Sequence, residues 1–125
     1  MSGGSSSGPG AAVAVRLCFG SLGSGTKASI RVPAACCGVV GLKPTHGRII
    51  RYGGMTRSWS NDCVGPIART VMECALLMQV LAGHDPKDSS SLSAPVPNYL
   101  AALEQGVSGL RIGIPTRHFA DGVDD

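Results

Sequence analysis

Between residues 71 and 82, Val71, Cys74, Ala75, Met78, Leu81 and Ala82 recur at three- and four-residue steps, and this spacing predicts a helix. Thr70 and Glu73 have capping-box spacing at its start, the hydroxyl accepting from the N3 amide and the carboxylate returning to the N-cap amide. Gly83 falls where a left-handed C-cap residue is wanted. Leu76, Leu77 and Val80 spread the apolar character around the circumference, so other layers are expected to enclose this helix. Ala11 to Val15 reads as a short buried helix whose first turn accommodates Pro9. Val39-Val40-Gly41-Leu42, closed by Lys43-Pro44-Thr45, reads as a short buried strand. Asn98 caps a second short helix through Leu103 and Glu104, and Leu110 to Ile114 alternates as a strand into Pro115.

Between these elements the polar pattern predicts loops. Ser2 to Gly10 is a glycine-serine run, Gly20 to Ala28 is a second such loop that leads to Ser29-Ile30-Arg31-Val32 before Pro33, and Asp85 to Pro97 is a surface loop. The expected organisation is one unit: serine loops and a core strand over 1–45, an irregular connection over 46–69, the core helix over 70–83, a loop and short helix over 84–109, and a strand and tail over 110–125. Helices alternating with strands indicate an α/β sandwich.

Composition narrows this picture. A chain of 125 residues with 43% apolar and 15% charged residues is long enough for one modest domain and too apolar for a disordered tail. A formal charge of +3 is spread along the chain with few aromatics between the cations, which argues against direct nucleic-acid binding. The five cysteines are an odd number without a C-x-x-C pair, and no basic-then-apolar leader opens the sequence, so free buried thiols and a cytoplasmic location are expected. No apolar run approaches the ~18–20 residues that span a bilayer, so no membrane segment is expected. No two of His46, His84 and His118 have i,i+4 spacing, so neither a metal nor a cofactor is expected.

Gly20-Ser21-Leu22-Gly23-Ser24-Gly25-Thr26-Lys27 approaches a phosphate-binding loop, but that motif needs lysine and then a hydroxyl residue directly after the second glycine, and here the order is inverted. The stronger signal is a pair of serine-bearing loops. Gly3-Gly4-Ser5-Ser6-Ser7-Gly8 is followed, 24 residues after Ser5, by Ser29 in Gly23-Ser24-Gly25-Thr26-Lys27-Ala28-Ser29-Ile30-Arg31-Val32-Pro33. Cys37-Gly38-Val39-Val40-Gly41-Leu42-Lys43-Pro44-Thr45, Trp59-Ser60-Asn61-Asp62, Val64-Gly65-Pro66-Ile67-Ala68-Arg69-Thr70 and Gly83-His84-Asp85-Pro86 follow in order. Together these blocks resemble the amidase signature family, and the similarity looks strongest to bacterial amidases and to tRNA-dependent amidotransferases, in the component that carries the amidase fold.

The resemblance implies an incomplete, central portion of an α/β/α sandwich with a mixed sheet. It implies a small-molecule amide substrate and a Ser-cisSer-Lys acyl-enzyme mechanism. Ser29 matches the nucleophile, and Ser5 matches the serine that follows a cis peptide bond and relays a proton to a neutral lysine. The backbone amides of Thr26, Lys27 and Ala28 match the oxyanion hole. A serine hydroxyl is a weak nucleophile without a base, and a lysine serves as one only where its site keeps it neutral.

The chain departs from the pattern in three places. It starts four residues before Ser5, whereas the family's lysine lies many residues upstream. Gly25 replaces the aspartate of the family's Gly-Ser-Asp-Thr-Gly-Gly-Ser loop, and Lys27-Ala28 replace its two glycines, where side chains strain the hole if positive φ is required. Pro9 removes a backbone donor near the cis-serine. Lys27 as a substitute base would put a cation in the anion hole. The expectation is therefore an amidase-like hydrolase, impaired as an isolated chain. The alternatives are a non-catalytic remnant or binding module of the same fold, and the amidase-like component of a tRNA-dependent amidotransferase, working with partner subunits. Arg31, Asp62 and Trp59 are expected to serve the scaffold.

Overall fold

The computed structural model describes residues 1–114. Seven elements follow in order: α1 (Ser7–Ala14), β1 (Gly20–Gly25), α2 (Arg31–Cys37), β2 (Val40–Gly41), β3 (Cys63–Ala68), α3 (Val71–Leu81) and α4 (Tyr99–Glu104). The strands form one sheet in the order β1-β3-β2, with both pairings antiparallel. β1 and β3 pair along their whole length from Gly20 opposite Ala68 to Gly25 opposite Cys63. α1 and α2 pack together on one face of the sheet, and α3 covers the other with α4 against it. The α/β sandwich is present, and its central layer within this chain is antiparallel.

α3 begins where the capping signal places it. The Thr70 hydroxyl accepts from the Glu73 amide at 3.2 Å, and Glu73 Oε2 accepts from the Thr70 amide at 3.0 Å. Its C-cap differs from expectation: Ala82 is extended, and Gly83 is not among the glycines with positive φ. Ala82 bridges to Ile49 and the Gly83 amide donates to the Arg48 carbonyl, so the chain leaves the helix into a β-bridge and needs no left-handed turn. α4 is capped by Asn98, whose side chain accepts from the Ala101 amide at 3.0 Å. α1 carries Pro9 in its first turn, where the amide has no intrahelical acceptor, so the missing donor costs nothing there.

Three expectations are corrected. Gly20–Gly25, read as a loop, is a strand: a Cβ at Gly23 would meet Ser6 Oγ at 2.9 Å and Ile67 Cδ1 at 3.0 Å, so packing from the sheet's face demands glycine despite its low strand propensity. Cys63–Ala68, inside the expected irregular connection, is the central strand. Pro66 is tolerated there because it stands opposite Leu42, one residue past the end of β2, and its carbonyl still accepts from the Leu42 amide at 3.0 Å. Residues 110–114 form no strand, and Leu110, Ile112 and Ile114 are exposed; the remainder of the expected tail, with His118, lies outside the described residues. Pro33 likewise ends no structured segment but sits in the first turn of α2, which closes on left-handed Gly38 with the Val39 amide donating back to Ala34.

The core joins the layers. Val13 of α1, Ile30 before α2 and Ile67 of β3 are each essentially inaccessible and cluster together. Because Ile30 directly follows Ser29, this cluster anchors the segment that carries the candidate nucleophile.

Candidate active site

The turn after β1 and the loop before α1 meet over the α1–α2 face of the sheet. Ser6 joins them. Its amide donates to the Ser29 carbonyl at 3.2 Å, and its hydroxyl donates to the Ser24 carbonyl at 3.1 Å while accepting from the Ser24 amide at 3.2 Å. Ser6 is only 6% exposed, so these bonds are shielded from water. The Gly4–Ser5 peptide bond is cis. Ser5 and Ser29 both line one cleft of about 150 Å³, with Ser24, Gly25, Thr26, Arg51, Arg57 and Asp62 among its other walls.

Of the segment assigned to the oxyanion hole, Thr26 lines this cleft, and Lys27 and Ala28 continue the turn beside it. Among the described residues no backbone carbonyl or side chain accepts from the amides of Thr26, Lys27 and Ala28. Their carbonyls hold the turn instead: Lys27 O accepts from Arg31 Nη2 at 2.9 Å, and Ala28 O accepts from the Val32 amide at 2.8 Å. Arg31 thus has the structural role expected of it. Neither Lys27 nor Ala28 has positive φ, Arg16 being the non-glycine residue that does, so the side chains in place of two glycines bring no left-handed strain. Lys27 is exposed, and no lysine of the described chain lines the cleft.

Asp62 braces the far wall. Oδ1 accepts from the Thr26 hydroxyl at 2.6 Å, and Oδ2 accepts from the amides of Arg57 and Ser58 at 2.6 and 2.8 Å. The Thr26 hydroxyl and then the Ser58 amide hold its carboxyl below the ordinary aspartate range. Trp59 contributes through its carbonyl, which accepts from His46 Nε2 at 3.0 Å, while the residue itself is exposed. Sequence reasoning passes over Ser6 and Arg51: Ser6 is hidden in a triplet of identical residues, and Arg51 stands in a segment without periodicity. All five cysteines are free thiols, and no helix among the described residues is long and apolar enough to cross a membrane.

Comparison with known proteins follows the same outline. The glutamyl-tRNA(Gln) amidotransferase of Trichlorobacter lovleyi has an amidase-like component that is 55% identical over 122 residues, which are 98% of this chain and 25% of the relative. The crystal structure of the corresponding component from Thermotoga maritima superposes with a TM-score of 0.82 at 44% identity, covering 86% of this chain and 24% of that one. Native peptide amidase from Stenotrophomonas maltophilia gives a TM-score of 0.79 at 42% identity over 82% of this chain and 22% of its own. The chain therefore spans about a quarter of the length of the curated relatives it matches. With the amidase family model matching residues 1–125, serine loops, sheet and core helix included, the chain belongs to the amidase family.

Proposed function

We propose that the cleft is the nucleophile half of a site that hydrolyses a C–N amide bond. Ser29 Oγ attacks the amide carbonyl, and Ser5 carries its proton toward the leaving nitrogen. The C–N bond breaks to release the amine, and water then cleaves the acyl-serine ester. The amides of Thr26, Lys27 and Ala28 stabilise the oxyanion, and donors of this kind each contribute on the order of 10²–10³ in rate. The observation that carries this reading is the convergence of Ser5 and Ser29 on one cleft, with the Ser6 amide bonded to the Ser29 carbonyl. The general base is a lysine supplied from outside these residues, because Lys43 is engaged with Pro44 O and Cys63 Sγ and Lys87 lies over the Tyr52 ring. The chain without that lysine turns over slowly or not at all, and it works in the cytoplasm.

A fluorophosphonate probe tests the nucleophile without requiring turnover. The expected result is labelling that disappears in Ser29→Ala and falls in Ser5→Ala; absence of labelling would instead support a non-catalytic remnant of the fold. The similarity to glutamyl-tRNA(Gln) amidotransferases favours a second reading, in which the amide nitrogen is passed on within a complex of partner subunits. Co-purification of stoichiometric partners would distinguish it from a free-standing amidase.

A further inference from the structure

Arg51 stands between the serine cleft and a second cleft of about 270 Å³, whose walls include Tyr52, Trp59, Lys87 and Asp88; Gly54 and Thr56 line both as well. The arginine is held from two sides. Its amide donates to Asp88 Oδ2 at 2.6 Å, and Nη2 donates to Ser90 Oγ at 2.8 Å. Its Nε and Nη1 are buried with no hydrogen-bond partner. Among the described residues the salt bridge is between Arg69 and Glu73, and the Arg51 guanidinium has none. A desolvated cation with idle donors is expensive, and each buried polar group left unsatisfied in a native structure calls for a missing partner.

The carboxylates nearby are already committed. Asp88 Oδ1 accepts from the Ser90 amide and hydroxyl and Oδ2 from the Arg51 amide, while Asp62 is filled by Thr26, Arg57 and Ser58. Arg51, Arg57 and Lys87 therefore face the joined clefts with their charge incompletely answered from within the chain. We propose that Arg51 receives the carboxylate of an amide substrate that is itself an acid, with the amide carbonyl at Ser29 and the acid group at the partition between the clefts. This rests on the amide-hydrolase reading and deepens it by naming the substrate class: short amide-acids rather than neutral amides. An arginine matches a carboxylate in both charge and donor geometry, and such charge-assisted bonds are roughly twice as strong as neutral ones.

The test is binding of succinamate against neutral succinamide to the full chain, followed by NMR of the arginine side-chain N–H groups. The wild-type chain should bind succinamate at least tenfold more tightly, and the Arg51 Nε–H resonance should shift with succinamate and not with succinamide. Arg51→Gln should lower the succinamate-to-succinamide affinity ratio at least tenfold. Equal affinity for the two compounds, or a succinamate response confined to Arg57 or Lys87, overturns the proposal; the resonance measurement on the wild-type chain keeps it testable if Arg51→Gln does not fold. Succinamate preference without Ser29-dependent probe labelling would sink hydrolysis and keep the anion site, and labelling without preference would do the reverse.

Discussion

Ser6 reaches both loops that carry the proposed chemistry, and its hydroxyl meets both polar groups of the Ser24 backbone. Ser6→Ala leaves those groups without their partner in a shielded place, a loss of about 1–3 kcal/mol. Urea unfolding should show a lower midpoint with an unchanged m-value, and the rate of Ser29 probe labelling should fall with it. The carboxylates make a pH prediction whose sign follows from their depressed folded-state values. Asp88 is lowered by the Ser90 hydroxyl and then the Arg51 amide, and Asp62 by Thr26 and Ser58. Burial works to raise Glu73, but Arg69 and Thr70 bring it below its ordinary value. As pH falls below about 4, the unfolded chain binds protons before the folded one does, so this stabilisation is present at neutral pH and is lost as pH drops through the folded values. Thermal unfolding should show a falling midpoint over that acid range, with a shallower fall in Asp88→Asn. A midpoint independent of pH there would count against these contacts. Ser5, Ser29 and Asp62 stand out in the sequence because each belongs to a recognisable block, whereas the clamp made by Ser6 arises from a contact 18 residues away.

α3 shows which elements are readable from the chain alone. Its capping box and its periodicity act within one helical turn, so local chemistry suffices to place the start. Thr70→Ala should cost about 1 kcal/mol, read as a lower urea midpoint. β1 and β3 are unreadable for the opposite reason. Gly-Ser-Leu-Gly-Ser-Gly lacks every feature of a strand, and it becomes one because β3 supplies the ladder while Ser6, Ile30 and Leu77 crowd the places where side chains would stand. Gly23→Ala should therefore destabilise the fold and displace Ser6, measurable as a lower thermal midpoint together with slower probe labelling. A fully stable Gly23→Ala protein would show that β1 does not pack against the serine loop in this way.

Across the molecule, apolar residues remain uncovered on the outer side. Leu17, Phe19 and Val80 are 80%, 87% and 83% exposed, and Val71, Met72 and Leu76 of α3 are exposed as well. The full enclosure expected for α3 is thus met on the side carrying Cys74, Ala75 and Met78 and not on the other. Surface of this kind favours association, so light scattering should show the chain self-associating as concentration rises; a monomer throughout would contradict this. The thiols report on the same packing: Cys36 is exposed, Cys63 and Cys74 are buried, and desolvation raises the Cys74 thiol above its usual value. A maleimide should modify Cys36 first and reach Cys63 and Cys74 only on unfolding.

Local rules suffice for the capped helices and for the serine-bearing blocks, because a cap, a helical face and a motif are each written within a few neighbouring residues. The sheet order, the Ser6 clamp, the shared cleft of Ser5 and Ser29 and the isolated guanidinium of Arg51 are settled by packing. Each joins residues far apart in the chain whose types say nothing of one another until the backbone brings them into contact.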